Sequence, residues 1–251
     1  MAGFLVAAGL AGLTAAGYQS MAPTGQWYGR TFTRLPRSSR MLALTYDDGP
    51  NDPHTLKLLD VLARQNVTAT FFLIGRYVVE RQDIVRAITA AGHTVGNHTF
   101  THPNLILQTT AETRSQITRC TEAITDAIGA APRFFRPPFG GRRPATLQAA
   151  RSLGLLPIMW SVTGYDWNAD PAELIQRKVT RQVRGGDVIL LHDGSHKRLG
   201  GDRSQTVIAT DALINRYRSE GFQFASIPEM LASAPQTTTP PDGKRTENGL
   251  P

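Results

Sequence analysis

At 251 residues with 41% apolar content the chain can bury a sizeable core, and no stretch beyond its N-terminus is long and apolar enough to span a membrane. Its 27 Lys and Arg against 20 Asp and Glu leave a formal charge of +7, which suits polyanionic surroundings such as a cell-wall polymer. The basic residues are scattered, with one modest cluster at Arg30, Arg34, Arg37 and Arg40 and no interleaved aromatics, so nucleic acid is not expected as a partner. The single cysteine, Cys120, excludes an internal disulfide and a thiolate metal cluster.

Residues 1–40 read as a signal-like or anchor segment plus a linker. Ala2 to Ala16 is a run of small and apolar residues with the composition of an export signal, although it lacks a basic leader. It predicts an exported or envelope-associated protein, with N-terminal membrane association or a cytoplasmic location as alternatives. Pro23, Gly25, Gly29 and Pro36 punctuate the linker. At the other end, residues 235–251 are Thr, Pro and charge without periodicity, the pattern of a disordered tail.

Residues 41–234 alternate strand-length apolar runs with helical patterns, as one catalytic domain would. Met41–Tyr46 precedes a helix over Pro53–Arg64, Thr68–Ile74 one over Arg81–Ala91, and His93–Asn97 one over Ala111–Ile128. Arg133–Arg136 then leads to a helix from Pro144, Leu155–Val162 to Pro171–Val183, and Asp187–His192 to Ser204–Glu220. Phe222–Ser226 and a short helix at Pro228 finish the series. Asp52-Pro53 and Asp170-Pro171 predict capping acids ahead of a first-turn proline, and Gly92, Gly129, Gly154 and Gly221 predict helix stops. About seven strand-helix units imply parallel strands, in a doubly wound sheet or a barrel.

The unusual polar residues choose between these. Asp47 and Asp48 follow the first strand, His98 and His102 the third, Arg136 the fourth, Asp166 and Trp167 the fifth, and His192 closes the sixth. All fall at C-terminal strand ends. A closed barrel gathers such ends around one mouth, whereas an open sheet gathers only those near its switch point. The prediction is an α/β fold, an irregular (β/α) barrel of about seven parallel strands.

Asp47-Asp48-Gly49-Pro50 ends an apolar run in a turn, where one carboxylate can bind a cation while its neighbour stays free as a base. Asp-Gly-Pro alone is ordinary turn chemistry; facing histidines changes that. In His98-Thr99-Phe100-Thr101-His102 the two imidazoles stand four residues apart, a spacing that lets both reach one ion from a helix or a compact loop. With Asp48 they make a two-His, one-carboxylate set, which suits zinc hydrolysis or iron oxidation. Arg136, stiffened by Pro137 and Pro138, can hold a carboxylate in one orientation. His192, at a strand end, can protonate a leaving group.

Taken in order, Thr45–Pro50, His98–His102, Arg136–Gly140, Asp166-Trp167 and Leu190–Asp193 resemble the five motifs of the polysaccharide deacetylase family, also called carbohydrate esterase family 4 or the NodB-homology domain. The resemblance covers roughly Met41–Ala232. It implies a deformed β/α barrel and one divalent metal ion, zinc first with cobalt or nickel as alternatives. It also implies removal of acetyl groups from N-acetylated sugars in peptidoglycan or chitin-like glycans, the acetylated polysaccharide or oligosaccharide being the partner. Carried over by position, Asp47 is the general base, Asp48, His98 and His102 the metal ligands, Arg136 the partner of Asp47, and His192 the general acid. Phe139 stands where the family usually has Tyr and would hold the oxyanion through its backbone N–H. Trp167 and Leu190 would line the pocket for the acetyl methyl. Thr163 departs from the pattern: it stands where the family commonly has an acid that tunes the catalytic histidine, leaving Asp166 or Asp193 as substitutes. An O-acetyl esterase and a catalytically weak glycan-binding module are the alternative readings.

Overall fold

The longest strand, β1 (Met41–Gly49), lies inside the sheet, flanked on both sides, and carries the two adjacent carboxylates at its C-terminal end. The structure, a computed structural model, describes residues 14–234. The other strands are β2 (Thr70–Leu73), β3 (Thr94–Asn97), β4 (Phe134–Phe135), β5 (Leu156–Pro157), β6 (Val162–Thr163), β7 (Val188–His192) and β8 (Gln223–Phe224). Between them run α1 (His54–Arg64), α2 (Gly75–Glu80), α3 (Gln82–Ala90), α4 (Thr110–Ile128), α5 (Pro144–Ser152), α6 (Ala172–Gln182) and α7 (Ser204–Ser219), with α8 (Ile227–Ser233) after β8. Seven strands stand in the order β5-β4-β3-β2-β1-β7-β6, and β8 pairs with the start of β1 off this path. All of these pairings are parallel.

Strand alternation sorts the side chains of β1. Leu42, Leu44 and Tyr46 face the helices and join a core that includes Leu58, Leu62, Phe71, Ile124, Ile189 and Leu213. Burying each such large apolar side chain contributes about 1.5–3 kcal/mol. Ala43 faces the other way, into a cluster with Phe72, Phe134, Ile158 and Val188 inside the curl of the sheet. Thr45 and Asp47 share that inward face by the two-residue period. Register then places Asp47 beside Phe72 of β2 and His192 of β7.

The predicted single strand Leu155–Val162 is two strands. Leu156–Pro157 pairs with β4, and Val162–Thr163 pairs with β7, at opposite ends of the sheet order. Five residue steps from Pro157 to Val162 reach at most roughly 18 Å, so the two edges must curl towards each other. The curl is the irregular barrel. Its seam is filled from the N-terminal side: Phe32 donates to Pro157 O at 3.1 Å and accepts from Met159 N at 2.8 Å, and Leu35 N donates to Gly186 O at 2.7 Å. Leu35 is buried there.

Two other local expectations need correction. Neither Asp52 nor Asp170 caps a helix, since α1 and α6 carry no side-chain cap bond. Their carboxylates pair with Arg81 and Lys178 instead. Side-chain caps form at Thr109, which accepts from Glu112 N, and in the Ser226–Glu229 box of α8. Gly92, Gly129, Gly154 and Gly221 do follow helix ends with positive φ, as stops require. Residues 14–21 are helical. The rest of the signal-like segment and the tail at 235–251 lie outside the described residues, and no described helix is long and apolar enough to cross a membrane.

Candidate metal centre

A bulge at the end of β1 turns both carboxylates into one site. Asp47 pairs with Phe72 and Gly49 with Leu73, so Asp48 is an extra residue between them, in the left-handed region at φ 73°. An uninterrupted strand would point the two side chains to opposite faces. The bulge is packed from behind: a Cβ on Gly194 would lie 2.0 Å from Asp48 O, so the loop after β7 can pass there only as glycine.

His98 and His102 come from the loop after β3. Asn97 Oδ1 accepts Thr99 N at 2.9 Å, and Thr99 Oγ1 accepts His102 N at 3.1 Å. From α4, Gln116 Oε1 accepts both Phe100 N and Thr101 N. These side chains hold a tight loop in which Thr99 and His102 have positive φ, backbone strain of the kind that gathers at functional sites. His98 and His102 Nε2 lie 3.6 and 3.2 Å from Asp48 Oδ1. Nδ1 of His98 is 2.7 Å from Arg136 O, which leaves Nε2 to face Asp48.

The donor set fits a divalent cation. One ligand atom from each of Asp48, His98 and His102 lies within 4.8 Å of the others, and all three residues are buried. Asp48 Oδ1 is buried without a hydrogen-bond partner. Such an orphan acceptor is costly unless something positive meets it. Burial pushes His102 down to about 3, so its imidazole is neutral and free to ligate. Burial opposes the charge on Asp48, but the hydrogen bond from His196 and the surrounding imidazoles hold its carboxyl well below the usual range.

Asp47 sits beside this set with different partners. Arg136 Nη1 donates to Asp47 Oδ1 at 2.7 Å and to Thr45 Oγ1 at 2.9 Å. Arg136 is fully buried, its other donors meet Ile158 O and Met159 O, and its guanidinium lies over the Phe72 ring. Asp47 Oδ2 is 3.6 Å from His98 Nε2.

Across the site, Asp166 Oδ1 lies 2.8 Å from His192 Nδ1, while Asp166 Oδ2 accepts His192 N and Thr206 Oγ1, each at 2.8 Å. Burial alone would lower the pKa of His192, but the Asp166 carboxylate raises it to about 9. Of the two substitutes open for the acid missing at Thr163, Asp166 is the one in contact. Asp193 instead accepts from Thr55 Oγ1 and lies against Gly49, and burial pushes it up to about 7.

These residues floor a cleft of about 780 Å³ whose lining includes Asp47, Asp48, His98, His102, Phe139, Trp160, Trp167, Leu190 and His192. Arg136 lies behind it. Trp167, 45% exposed, meets His192 edge-on at 5.3 Å, and Leu190 is buried beneath. Phe139 stands in a left-handed turn at φ 58° with its ring edge-on to His102. The loop after β7 adds His196, Lys197, Arg198 and Arg203 to the lining. Sequence reasoning missed His196. Its only signal was a second four-residue histidine spacing, His192 to His196.

A buried two-histidine, one-carboxylate set with a separate carboxylate on one side and a carboxylate-braced histidine on the other, at the mouth of a parallel α/β barrel, defines a metal-dependent hydrolase. Residues 34–158 match the family model described as polysaccharide deacetylase. The chain is 36% identical over 199 residues to the peptidoglycan-N-acetylglucosamine deacetylase of Bacillus cereus, covering 79% of this chain and 71% of that one. To the chitooligosaccharide deacetylase of Sinorhizobium fredii it is 38% identical over 208 residues, covering 80% and 97%. The crystal structure of the Bc1960 peptidoglycan N-acetylglucosamine deacetylase superposes with a TM-score of 0.76 at 36% identity, covering 80% of this chain and 92% of that one. The chain belongs to the polysaccharide deacetylase family.

Proposed function

We propose that this protein hydrolyses the acetyl group from N-acetylated sugars of peptidoglycan or a chitin-like glycan, with zinc as the metal. The observation that carries the reading is the orphaned Asp48 Oδ1 between the Nε2 atoms of His98 and His102, with Asp47 alongside but held by Arg136. Zinc accepts imidazole and carboxylate ligands with open positions and brings no redox chemistry. The relatives named above act on peptidoglycan or chitooligosaccharide. The loop that brings Lys197, Arg198 and Arg203 to the cleft against the single acid Asp202 favours a glycan carrying carboxylates, as peptidoglycan does, over a neutral one. A wall substrate entails export, in keeping with the signal-like N-terminal segment.

A divalent ion held by Asp48, His98 and His102 would supply Lewis acidity, making an attacking water more acidic and polarising the acetyl carbonyl. Asp47, fixed by the 2.7 Å bond from Arg136, accepts the proton of that water as its oxygen joins the carbonyl carbon. The Phe139 N–H donates to the developing oxyanion. Trp167 and Leu190 enclose the acetyl methyl and exclude bulkier acyl groups. His192, kept protonated by Asp166, then gives a proton to the sugar nitrogen as the C–N bond breaks, leaving acetate and a free amine.

The test is stoichiometric. Equal amounts of acetate and amine released from N-acetylated oligosaccharides, lost on chelation and restored by zinc, support the proposal; no release from any such glycan in the zinc-loaded protein overturns it.

A further inference from the structure

We infer that His196, on the loop between β7 and α7, is a positioning residue that holds two of the three metal ligands, Asp48 and His102. The inference rests on the metal reading above. His196 is tied to Asp48 twice through the same oxygen: its backbone N–H donates to Asp48 Oδ2 at 3.2 Å, and its ring Nδ1 lies 3.5 Å from that atom. With Oδ2 engaged, Oδ1 is left as the single atom turned towards the two histidines, the orientation for one-oxygen ligation.

The contact with His102 is of another kind. His98 is oriented by its Nδ1 bond to Arg136 O, whereas His102 Nδ1 is buried with no hydrogen-bond partner. Packing orients the His102 ring instead. His196 stacks on one face at 4.6 Å and 15°, and Phe139 meets it edge-on at 4.6 Å and 76°. One ligand ring is therefore fixed by a carbonyl and the other by its neighbouring rings.

The backbone that presents His196 is itself anchored. Arg76 Nη2 donates to His196 O, Tyr77 Oη donates to Ser195 O at 3.1 Å, and Arg203 Nε donates to Gly194 O at 2.6 Å. Asn51 closes the far end of the loop through Gly201 O and Gly200 N. A surface histidine without a task would not need this framework, and the ring it presents is only a third exposed.

The experiment measures zinc affinity of the full chain by competition with a chromophoric chelator, together with the visible spectrum of the cobalt form. His196→Ala should bind zinc about 10–100-fold more weakly, the loss typical of removing an outer partner of a metal ligand, with an altered cobalt spectrum and unchanged melting of the metal-free protein. His196→Phe keeps the stack and His196→Gln keeps a polar partner for Asp48, so each should recover part of the loss. Affinity in His196→Ala within about twofold of the parent, far short of that loss, with an unchanged spectrum, overturns the inference, as does failure of both other variants to recover any affinity. A parent that takes up no metal would instead sink the functional reading itself.

Discussion

His192 Nδ1 and Asp166 Oδ1 meet at 2.8 Å in a buried pair whose second carboxylate oxygen is taken by the His192 backbone and Thr206. The pair leaves the other ring nitrogen, Nε2, for the cleft and keeps the imidazolium stable up to about pH 9. A histidine that must be protonated to act should lose activity as pH rises through that value. Asp166→Asn removes the charge that raises the pKa, so the alkaline limb of the kcat profile should move to lower pH by roughly 1–3 units. A pH–rate profile of the two proteins checks this, and an unmoved limb would detach Asp166 from the acid step.

The separation of roles between Asp47 and Asp48 is also measurable. Asp47→Asn keeps the three-ligand set intact and should retain metal, while turnover falls about 10²–10⁴-fold, as on removal of a general base. His98→Ala should lose metal and turnover together. Metal content by elemental analysis, set beside kcat, distinguishes them.

Gly194→Ala tests the packing behind the bulge. A Cβ there meets the Asp48 carbonyl at 2.0 Å, and backbone cannot step aside as a side chain can. Overpacking of this sort typically destabilises by about 1–3 kcal/mol. Here it should also weaken zinc binding, because the residue displaced is a ligand. Thermal unfolding and chelator competition read the two effects.

Arg142 links the N-terminal region to the Phe139 turn. Its buried guanidinium donates to Gly140 O at 3.0 Å and to Ala22 O and Gly25 O at 2.7 Å. In Arg142→Ala these carbonyls lose their donor, at about 1–3 kcal/mol for each left buried and unpaired. The melting temperature should drop and KM should rise as the Phe139 turn loosens. Equal KM in the two proteins would confine Arg142 to stability.

The strand ends were readable because alternation, turn residues and the identity of a few polar side chains are local properties. Thr45–Pro50 and Leu190–Asp193 announce where they end whatever they pair with. What could not be read depends on partners. Leu155–Val162 looks like one buried strand because an apolar run reports burial and not which neighbour supplies it; only the sheet order shows that its halves serve opposite edges. Asp52 and Asp170 stand one residue ahead of the actual caps, Pro53 and Pro171, and their carboxylates pair with Arg81 and Lys178 instead. Gly75–Glu80 was missed because six residues are too few for a helical period to stand out. His196 was missed because its partners, Asp48 and His102, are distant in sequence.

Phe32 and Leu35 act as a zip fastener for a cylinder that has too few strands to close by itself. A protein shortened to begin at Met41 would lose the donor to Pro157 O, the acceptor of Met159 N and the donor to Gly186 O in one step. Ile158 and Met159, whose carbonyls help to brace Arg136, would be left lining an open slit. The stretch that looks dispensable in sequence therefore supports, through two intervening residues, Met159 and Arg136, the carboxylate of Asp47.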